Sequence, residues 1–245
     1  MTSSMRFSRR LLASSVLCSI FATAGIAGTP KNIIELYTSQ GCASCPDAQA
    51  LLKTYINRSD VVALSFNVDY WDYLGWKDTL GKAAHSKRQR AYARARGDGK
   101  IYTPQIVANG LVIAIGTDRS QINRAIAKSA TQLSGSRLTL ELQSDKSRFI
   151  IKVGAGAKLD KPATIYVASV SRAVTVNITG GENRGRQVTF HNVVRNMIPV
   201  GMWSGEAATI RLLKQDVLGS EGERCVILIQ AADAGSVLAA DWMPK

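Results

Sequence analysis

The sequence predicts an α/β domain followed by an all-β, sandwich-like domain. Up to residue 134, short β-branched runs alternate with stretches of helical spacing, which is typical of an α/β sheet. From Arg137 onward, seven short alternating runs are separated by Gly, Asn, Asp and Ser clusters, which favours a β-sandwich. A Ser-Gly-Ser stretch lies between the two patterns, and we predict domains at 28–134 and 137–245.

The first 27 residues have the pattern of a secretory signal peptide. Arg6, Arg9 and Arg10 precede an apolar, small-residue run that ends at Ala27, and this segment contains no acidic residue. We therefore expect cleavage after Ala27 and a periplasmic or secreted protein, and the paired arginines also fit a twin-arginine export signal. No later segment has the roughly 18 unbroken apolar residues of a spanning helix, so no membrane span is predicted.

The chain is strongly basic, with a formal net charge of +13 at pH 7. The excess is spread over predicted helices and strands without a compact run, so it favours a cationic surface and not a nucleic-acid site. The arginines at 88, 90, 94 and 96 are interpreted in the same way, as a solvated helix face.

The α/β domain begins with the order strand, helix, strand. Asn32 to Thr38 is a strand-type run, and Pro46 to Asn57 has apolar residues at helical spacing with proline in the first turn, where it is tolerated. Val61 to Val68 is nearly continuously apolar, as expected of a buried parallel strand. Cys42 and Cys45 therefore lie between a strand and the start of a helix.

An aromatic stretch, Asp69 to Trp76, follows the second strand and is predicted to be a loop. The next segment, 77–96, is rich in Ala, Lys, Arg and Gln and free of proline, which predicts one or two helices. The Asn-Gly turn at 109–110 between apolar runs indicates a hairpin. A helix capped by Thr117 or Asp118 completes the domain.

The chemistry that the sequence predicts lies in Cys42 and Cys45. Two such cysteines at a helix N-terminus can close a small disulfide, and the helix dipole and free amides stabilise a thiolate on the first. Cys42 is thus the candidate nucleophile, and Cys45 resolves a mixed disulfide by attacking it. The order strand, Cys-x-x-Cys, helix, strand, helical segment, Thr-Pro, hairpin, helix is that of the thioredoxin fold. In that fold the proline is cis and faces the cysteines, so Pro104 is expected to shape a substrate groove.

The aromatic loop is expected to form a wall of this groove, because loops at the carboxyl edge of an open α/β sheet build sites. One of its two acids is a candidate proton acceptor near the cysteines. The alternative is that the loop is only anchored against the following helix. The predicted groove residues are Asp69, Tyr70, Trp71, Asp72, Tyr73, Trp76, Tyr102 and Thr103.

Two other functions stay open beside a thiol–disulfide oxidoreductase. One is a non-catalytic binding protein with a structural disulfide, and the other is a copper-handling protein that uses the cysteine pair and a distant histidine. Only Cys225, His85 and His191 remain to complete a metal site after removal of the signal, so no metal and no other cofactor is predicted. Cys225 opens an apolar strand and is expected to be buried as a small hydrophobe.

Five segments of the chain carry a family resemblance: ELYTSQGCASCPDA, NVDYWDYLGWKD, RQRAYARARG, YTPQIVANG and GENRGRQVTFHNVVR. In these segments the chain resembles a family of secreted bacterial proteins of unknown function that carry a thioredoxin-like domain. The resemblance implies that fold, export, and a role for the cysteines with protein thiols or disulfides as partners. The motif positions that it implies are Cys42, Cys45, Asp69, Trp71, Trp76, Tyr102 and Pro104.

Overall fold

The computed structural model describes residues 1, 31–219 and 223–244, so the predicted signal peptide and its cleavage site lie outside the described residues. The first part contains β1 (Asn32–Thr38), α1 (Cys45–Ile56), β2 (Val61–Asn67), a 3-10 helix (Asp72–Leu74), α2 (Ala83–Arg96), β3 (Gln105–Ala108), β4 (Val112–Ile115) and α3 (Arg119–Gln132). The second part contains β5 (Leu140–Ser144), β6 (Arg148–Val153), β7 (Ala163–Asn177), β8 (Gln187–Trp203), β9 (Ala208–Leu213), the short helix α4 (Lys214–Val217), β10 (Arg224–Gln230) and β11 (Val237–Trp242). Each of the seven runs predicted after Arg137 forms a strand.

One mixed sheet of eight strands extends through both parts of the chain, in the order β11-β10-β7-β8-β2-β1-β3-β4. β1 and β2 are parallel, whereas β3 is antiparallel to both β1 and β4. The two parts meet where β8 runs parallel to β2, with Ser65 opposite Val193. The protein is therefore a mixed α/β protein. The expectation that the second part forms sheets of its own is corrected, because four of its strands belong to the main sheet.

Both faces of the sheet are covered in the α/β part. Ile34 and Leu36 of β1 lie in the cluster that packs under α1 and α3. Ile33 and Tyr37 alternate with them and lie in the opposite cluster, which also contains Tyr92 of α2. Every residue of β2 is buried. A strand covered on both faces needs apolar residues at successive positions, which explains the continuous apolar run in its sequence.

The remaining three strands, in the order β5-β6-β9, form a second sheet. Phe149 and Ile151 of β6 share one apolar cluster with Ile165 of β7 and Ile227 of β10. The second sheet thus packs on the main sheet through alternate residues of each strand, which is the alternation that the sequence shows. Among the described residues, no helix has the length and apolar character that a membrane crossing requires.

Two local predictions near the end of the α/β part are confirmed. Asn109 and Gly110 have φ values of 49° and 75°, which are the left-handed values that this tight hairpin turn requires. Asp118, and not Thr117, caps α3, because its side chain accepts a hydrogen bond from the backbone N–H of Gln121 at 2.9 Å.

Arg88 corrects the expectation that the arginines of α2 form only a solvated face. Its Nε and Nη2 each donate to the Glu35 carboxylate at 2.7 Å, and its Nη1 donates to Gln230 of β10 at 2.9 Å. Glu35 is fully buried in β1. A buried carboxylate requires a charged or hydrogen-bonding partner, so this arginine turns inward. Helical spacing alone does not reveal which arginine does so.

Candidate functional site

Cys42 and Cys45 are joined by a disulfide at the start of α1, with Cα atoms 5.4 Å apart. The helix begins at Cys45, with Ser44 at the N-cap and Pro46 in the first turn, as the sequence predicts. The backbone N–H of Cys45 donates to the carbonyl oxygen of Cys42 at 3.1 Å. Cys42 is 3% exposed and Cys45 is fully buried. The cysteines therefore occupy a helix N-terminus, but little of either sulfur-bearing side chain reaches solvent.

A groove of about 550 Å³ lies beside this helix start. Its lining includes Ser44 and the predicted residues Tyr102, Thr103 and Pro104. The hydroxyl oxygen of Ser44 is 3.8 Å from the Cys42 Sγ. The Thr103–Pro104 peptide bond is cis, as expected from the sequence. The groove thus brings Tyr102, Thr103 and Pro104 together with Ser44, which lies between the two cysteines in the chain.

Trp71 connects the aromatic loop, residues 69–76, to the groove. Its Nε1 donates to the Thr103 Oγ1 at 2.7 Å. A Cβ atom added at Gly41 would lie 3.2 Å from the Trp71 Cβ, so the tryptophan also packs on the residue before Cys42. Tyr73 stacks on Trp71, with ring centroids 6.4 Å apart, and is 77% exposed. An aromatic surface therefore faces solvent beside the predicted site.

Tyr70 and Trp76 anchor the same loop. The Trp76 Nε1 donates to the Gln40 Oε1 at 2.7 Å, which ties the loop to the segment between β1 and α1. The Tyr70 hydroxyl donates to the Gln89 Oε1 of α2 at 3.2 Å, and burial raises the pKa of Tyr70 to about 12. The contact of Tyr70 is the anchoring against the following helix that the alternative predicts, whereas Trp76 is anchored to the segment before α1. A groove role for the two side chains stays a prediction.

The two acids of the aromatic loop have partners in α2 and in the segment that connects the loop to α2. The Ser86 hydroxyl donates to the Asp69 Oδ1 at 2.5 Å, and the Asp72 Oδ1 accepts the backbone N–H of Asp78 at 3.0 Å. A proton-acceptor role for either acid stays a prediction. Asp78, which the sequence did not single out, is buried and accepts the backbone N–H of Gln40 at 2.8 Å. Burial raises the pKa of Asp78 and outweighs its hydrogen bonds, which lower it.

The connection between β7 and β8, for which the sequence predicts no chemistry, contacts residues 40–45, which we call the cysteine segment. We call residues 178–186 the cover loop. Asn183, 1% exposed, donates through its Nδ2 to the carbonyl oxygens of Gln40 at 2.9 Å and Cys42 at 2.8 Å. The only signal in the sequence is that residues 181–186 belong to GENRGRQVTFHNVVR, one of the segments that carry the family resemblance. Its separation of 141 residues from Cys42 concealed the contact.

Glu182 of the cover loop also reaches the cysteine segment. Its Oε2 accepts the backbone N–H of Ala43, the residue after Cys42, at 3.1 Å. The carboxylate is exposed, so solvent weakens its interactions. The site therefore has a groove next to Ser44. A loop from the second part of the chain, which contains β5 to β11 and which we call the β-rich part, is bonded to Ala43.

The copper alternative predicted that a distant histidine joins the cysteines. The His85 Nδ1 donates to the carbonyl oxygen of Asn67 at 2.8 Å, and its ring packs edge-on against Phe66 with centroids 5.2 Å apart. Burial lowers the pKa of His85 to about 4. In the part of the chain that the structure describes, no group of three or more His, Cys, Asp or Glu side chains is arranged to hold a metal ion. His85 therefore contacts β2 and not the cysteines, and the copper alternative stays a prediction.

Cys225 is expected to resist alkylation in the folded protein. It is buried, as predicted, and burial with a smaller effect of Glu223 raises its pKa to about 11. Because the thiolate is the reactive form, iodoacetamide at pH 8 should label Cys225 only after unfolding. Mass spectrometry of native and denatured samples measures this, with the denatured sample as the control. Native labelling at the rate of a free thiol would contradict the expectation.

Of two solved structures that match this chain, one is similar over most of its length. A protein from Agrobacterium tumefaciens, known from its crystal structure, is 32% identical, with 88% of this chain and 95% of that chain covered and a TM-score of 0.76. An endonuclease/exonuclease/phosphatase from Beutenbergia cavernae is 18% identical over 43% of this chain and 22% of that chain, and its TM-score of 0.19 carries no argument. No curated protein matches the chain.

A family model described as a protein of unknown function, DUF1223, matches residues 33–230. This range contains the disulfide, the groove and the cover loop, so the match includes every part of the site described above. The chain belongs to the DUF1223 family.

Proposed function

We propose that this protein is a thiol–disulfide oxidoreductase, with Cys42 as the nucleophile and Cys45 as the resolving cysteine. The observation that carries the proposal is a disulfide between these residues at a helix N-terminus, next to a groove that runs from Ser44 to Pro104. A helix N-terminus stabilises a thiolate, and the thiolate is the attacking and leaving group in disulfide exchange.

We also infer that the first part of the chain has a thioredoxin-like fold. The strand order β2-β1-β3-β4, with β1 parallel to β2 and antiparallel to β3, supports this inference. So do the packing of α1 and α3 on one face of these strands and the packing of α2 on the other. The position of Pro104 directly before β3, in the groove beside the cysteines, fits the same fold.

The proposed reaction has two exchange steps. A substrate thiolate attacks the Cys42 Sγ, the bond between the two cysteines breaks, and Cys45 leaves as a thiolate. A second substrate thiolate then attacks the substrate sulfur of the mixed disulfide and releases Cys42. The substrate gains a disulfide and the cysteine pair accepts two electrons. In reverse, the Cys42 thiolate attacks a substrate disulfide, and Cys45 resolves the mixed disulfide.

We propose protein thiols or disulfides in an exported compartment as the partners. The signal-peptide pattern of the first 27 residues supports export. An oxidising compartment is where a disulfide forms and persists. The open groove and the exposed ring of Tyr73 provide an apolar surface next to the cysteines that suits an extended peptide.

The test combines a reduction potential with turnover of a peptide disulfide. Glutathione titration should give a potential of about −120 to −270 mV, the range of exchange-active dithiols. Cys42→Ser should abolish turnover, and Cys45→Ser should accumulate a mixed disulfide on Cys42. Cys225→Ala is the matched control and should retain the activity of the natural chain. Equal turnover by the natural chain and Cys42→Ser would overturn the proposal.

A second candidate function is a binding protein in which the disulfide only braces the start of α1. The burial of Cys42 and Cys45 favours it. This function predicts a potential below about −300 mV, as for structural disulfides of secreted proteins, and no turnover of the peptide disulfide. The same titration therefore separates the two functions.

A further inference from the structure

The burial of Cys42 conflicts with a role as the sulfur that substrates attack, unless something movable covers it. The cover loop is in contact with this part of the chain. It binds the carbonyl oxygen of Cys42 through Asn183 and the N–H of Ala43 through Glu182. Ser44, the next residue, lies at the groove. The cover loop thus binds the backbone at Cys42 and Ala43, and the groove lies next to Ser44.

The cover loop is built as a defined structure. The N–H of Ile178 donates to the carbonyl oxygen of Arg186 at 2.9 Å, and the N–H of Gly185 donates to the carbonyl oxygen of Ile178 at 2.8 Å. The Arg186 Nη1 donates to the Asn183 Oδ1 at 3.0 Å, which fixes the orientation of the amide. The Asn183 Nδ2 is therefore held toward the carbonyl oxygens that it binds.

Apolar packing joins the cover loop to the aromatic loop. Ile178 lies in a buried cluster with Phe190 and Leu80, against which Trp76 packs. A Cβ atom at Gly180 would lie only 2.8 Å from the carbonyl oxygen of Gly75, so the two backbones are in close contact. Because this contact is so close, Gly180→Ala must displace the cover loop or the aromatic loop without removing any polar group.

Glu182 places a negative charge at the helix start that carries Cys42. The Ala43 N–H that it binds lies directly before the N-cap residue Ser44, so the carboxylate is next to the helix N-terminus, whose positive partial charge otherwise stabilises a thiolate. With this amide occupied by a carboxylate, the Cys42 thiolate of the reduced protein is less stable. A less stable thiolate shifts the exchange equilibrium toward the disulfide, because the reduced form contains the thiolate.

We propose that Asn183 and Glu182 are positioning residues of the redox site, which rests on the proposed function of Cys42 and Cys45. Asn183 holds the cover loop on the cysteine segment and limits attack on Cys42 to the groove. Glu182 disfavours the Cys42 thiolate and makes the pair more reducing. The β-rich part of the chain thereby sets both the access of substrates to the disulfide and the reduction potential of the cysteine pair.

The first test measures the rate at which dithiothreitol reduces the disulfide of the full chain. Asn183→Ala removes both hydrogen bonds to the cysteine segment, and Gly180→Ala displaces the loop by a different route. Each should raise the rate at least about fivefold, because a buried hydrogen bond of this kind is worth about 1 kcal/mol or more and opening of the loop precedes attack. Arg184→Ala, an exposed change in the same loop, is the control and should leave the rate unchanged.

A faster reduction could also result from partial unfolding of a variant, so the stability of each variant must be known. Thermal unfolding of each variant is measured first, and the rate is compared far below the unfolding temperature. If Asn183→Ala does not fold, Gly180→Ala and the conservative variant Asn183→Ser carry the test. Rates within twofold of the natural chain in every folded variant, or slower rates, would overturn the covering role.

The second test uses Glu182→Gln, which keeps a hydrogen-bond acceptor and removes the charge. The Cys42 pKa of the reduced protein, read from the pH dependence of its alkylation, should fall. The equilibrium with glutathione should shift up to about fivefold toward the reduced form, the range expected for the interaction of two charges near the protein surface. Both changes should shrink at high ionic strength, because salt screens exposed charges. Glu206→Gln, an exposed acid beyond the other end of β8, is the matched control.

Failure of this inference is distinguishable from failure of the proposed function. Dithiothreitol reduction and thiol alkylation need no natural substrate, so they test the cover loop even if the natural chain turns over no peptide disulfide. Normal turnover together with unchanged rates, pKa and equilibrium in the variants would overturn the roles of Asn183 and Glu182 alone.

Discussion

Replacement of Arg88 by alanine is expected to lower the free energy of unfolding by about 3–5 kcal/mol, the usual cost of removing one partner of a buried ion pair. The Glu35 carboxylate accepts two hydrogen bonds at 2.7 Å from Arg88 and further bonds from the hydroxyls of Tyr37 at 2.9 Å and Tyr92 at 2.6 Å. Without the guanidinium, a buried carboxylate remains with neutral partners only.

The protonation of the pair supports this expectation. Burial acts to lower the pKa of Arg88, but the charge of Glu35, its hydrogen bonds and the neighbouring Tyr92 and Tyr37 together outweigh burial and hold the pKa above its ordinary value. Burial together with the charge of Glu35 also keeps Tyr37 and Tyr92 neutral, because both raise the pKa of these phenols. The network therefore contains one positive and one negative charge, each of which depends on the other.

Urea denaturation of the oxidised protein measures the effect, and Arg90→Ala is the matched control. Arg90 is exposed two residues further along α2, and its replacement should change the stability by less than about 0.5 kcal/mol. Arg88→Lys should recover part of the loss, because a single ammonium cannot reproduce the two parallel bonds to Glu35. A loss below about 1 kcal/mol for Arg88→Ala would contradict the stabilising role of the pair.

Acidification from pH 6.5 to pH 4 is expected to remove up to about 3 kcal/mol of stability through His85 alone. The pKa of His85 is lowered to about 4 in the folded protein, mainly by burial, against about 6.5 in an unfolded chain. Between these two pH values the unfolded state binds more protons than the folded state, so stability rises with pH. The contribution is complete above pH 6.5 and is lost as the pH falls through 4.

The measurement is the difference in unfolding free energy between the natural chain and His85→Asn at several pH values. The asparagine amide can still donate to the Asn67 carbonyl oxygen, which accepts the His85 Nδ1–H at 2.8 Å. The difference is needed because Asp78, whose pKa is raised by burial, gives a slope of opposite sign. An identical pH dependence in both proteins would show that His85 is not held neutral.

Arg88 and the cover loop each form hydrogen bonds between the β-rich part of the chain and the α/β part. The Arg88 network includes Gln230 of β10, and the cover loop reaches Cys42 from the connection between β7 and β8. The two parts also meet where β8 pairs with β2. A destabilised Arg88 variant with an unchanged rate of disulfide reduction would show that the two connections act independently.

Local patterns along the chain predict the secondary-structure elements and the position of the cysteines at a helix start. The apolar run at Asn32–Thr38 forms the predicted strand, Asp118 caps the predicted helix, and the Asn-Gly turn forms the predicted hairpin. The disulfide between Cys42 and Cys45 lies at the helix start that the spacing indicates. Each of these features depends on interactions within a few residues along the chain, so periodicity, capping and turn chemistry predict it.

Three features follow only from the three-dimensional packing: the strand that lies beside β2, the arginine that turns inward and the loop that contacts the cysteine segment. The apolar run of β2 shows that both faces are buried, but it does not name the neighbour that occupies the free edge, and β8 takes that place. Asn183 is 141 residues from the Cys42 carbonyl oxygen that it binds. Such pairings depend on long-range packing and on the desolvation of particular buried groups, which no local pattern encodes.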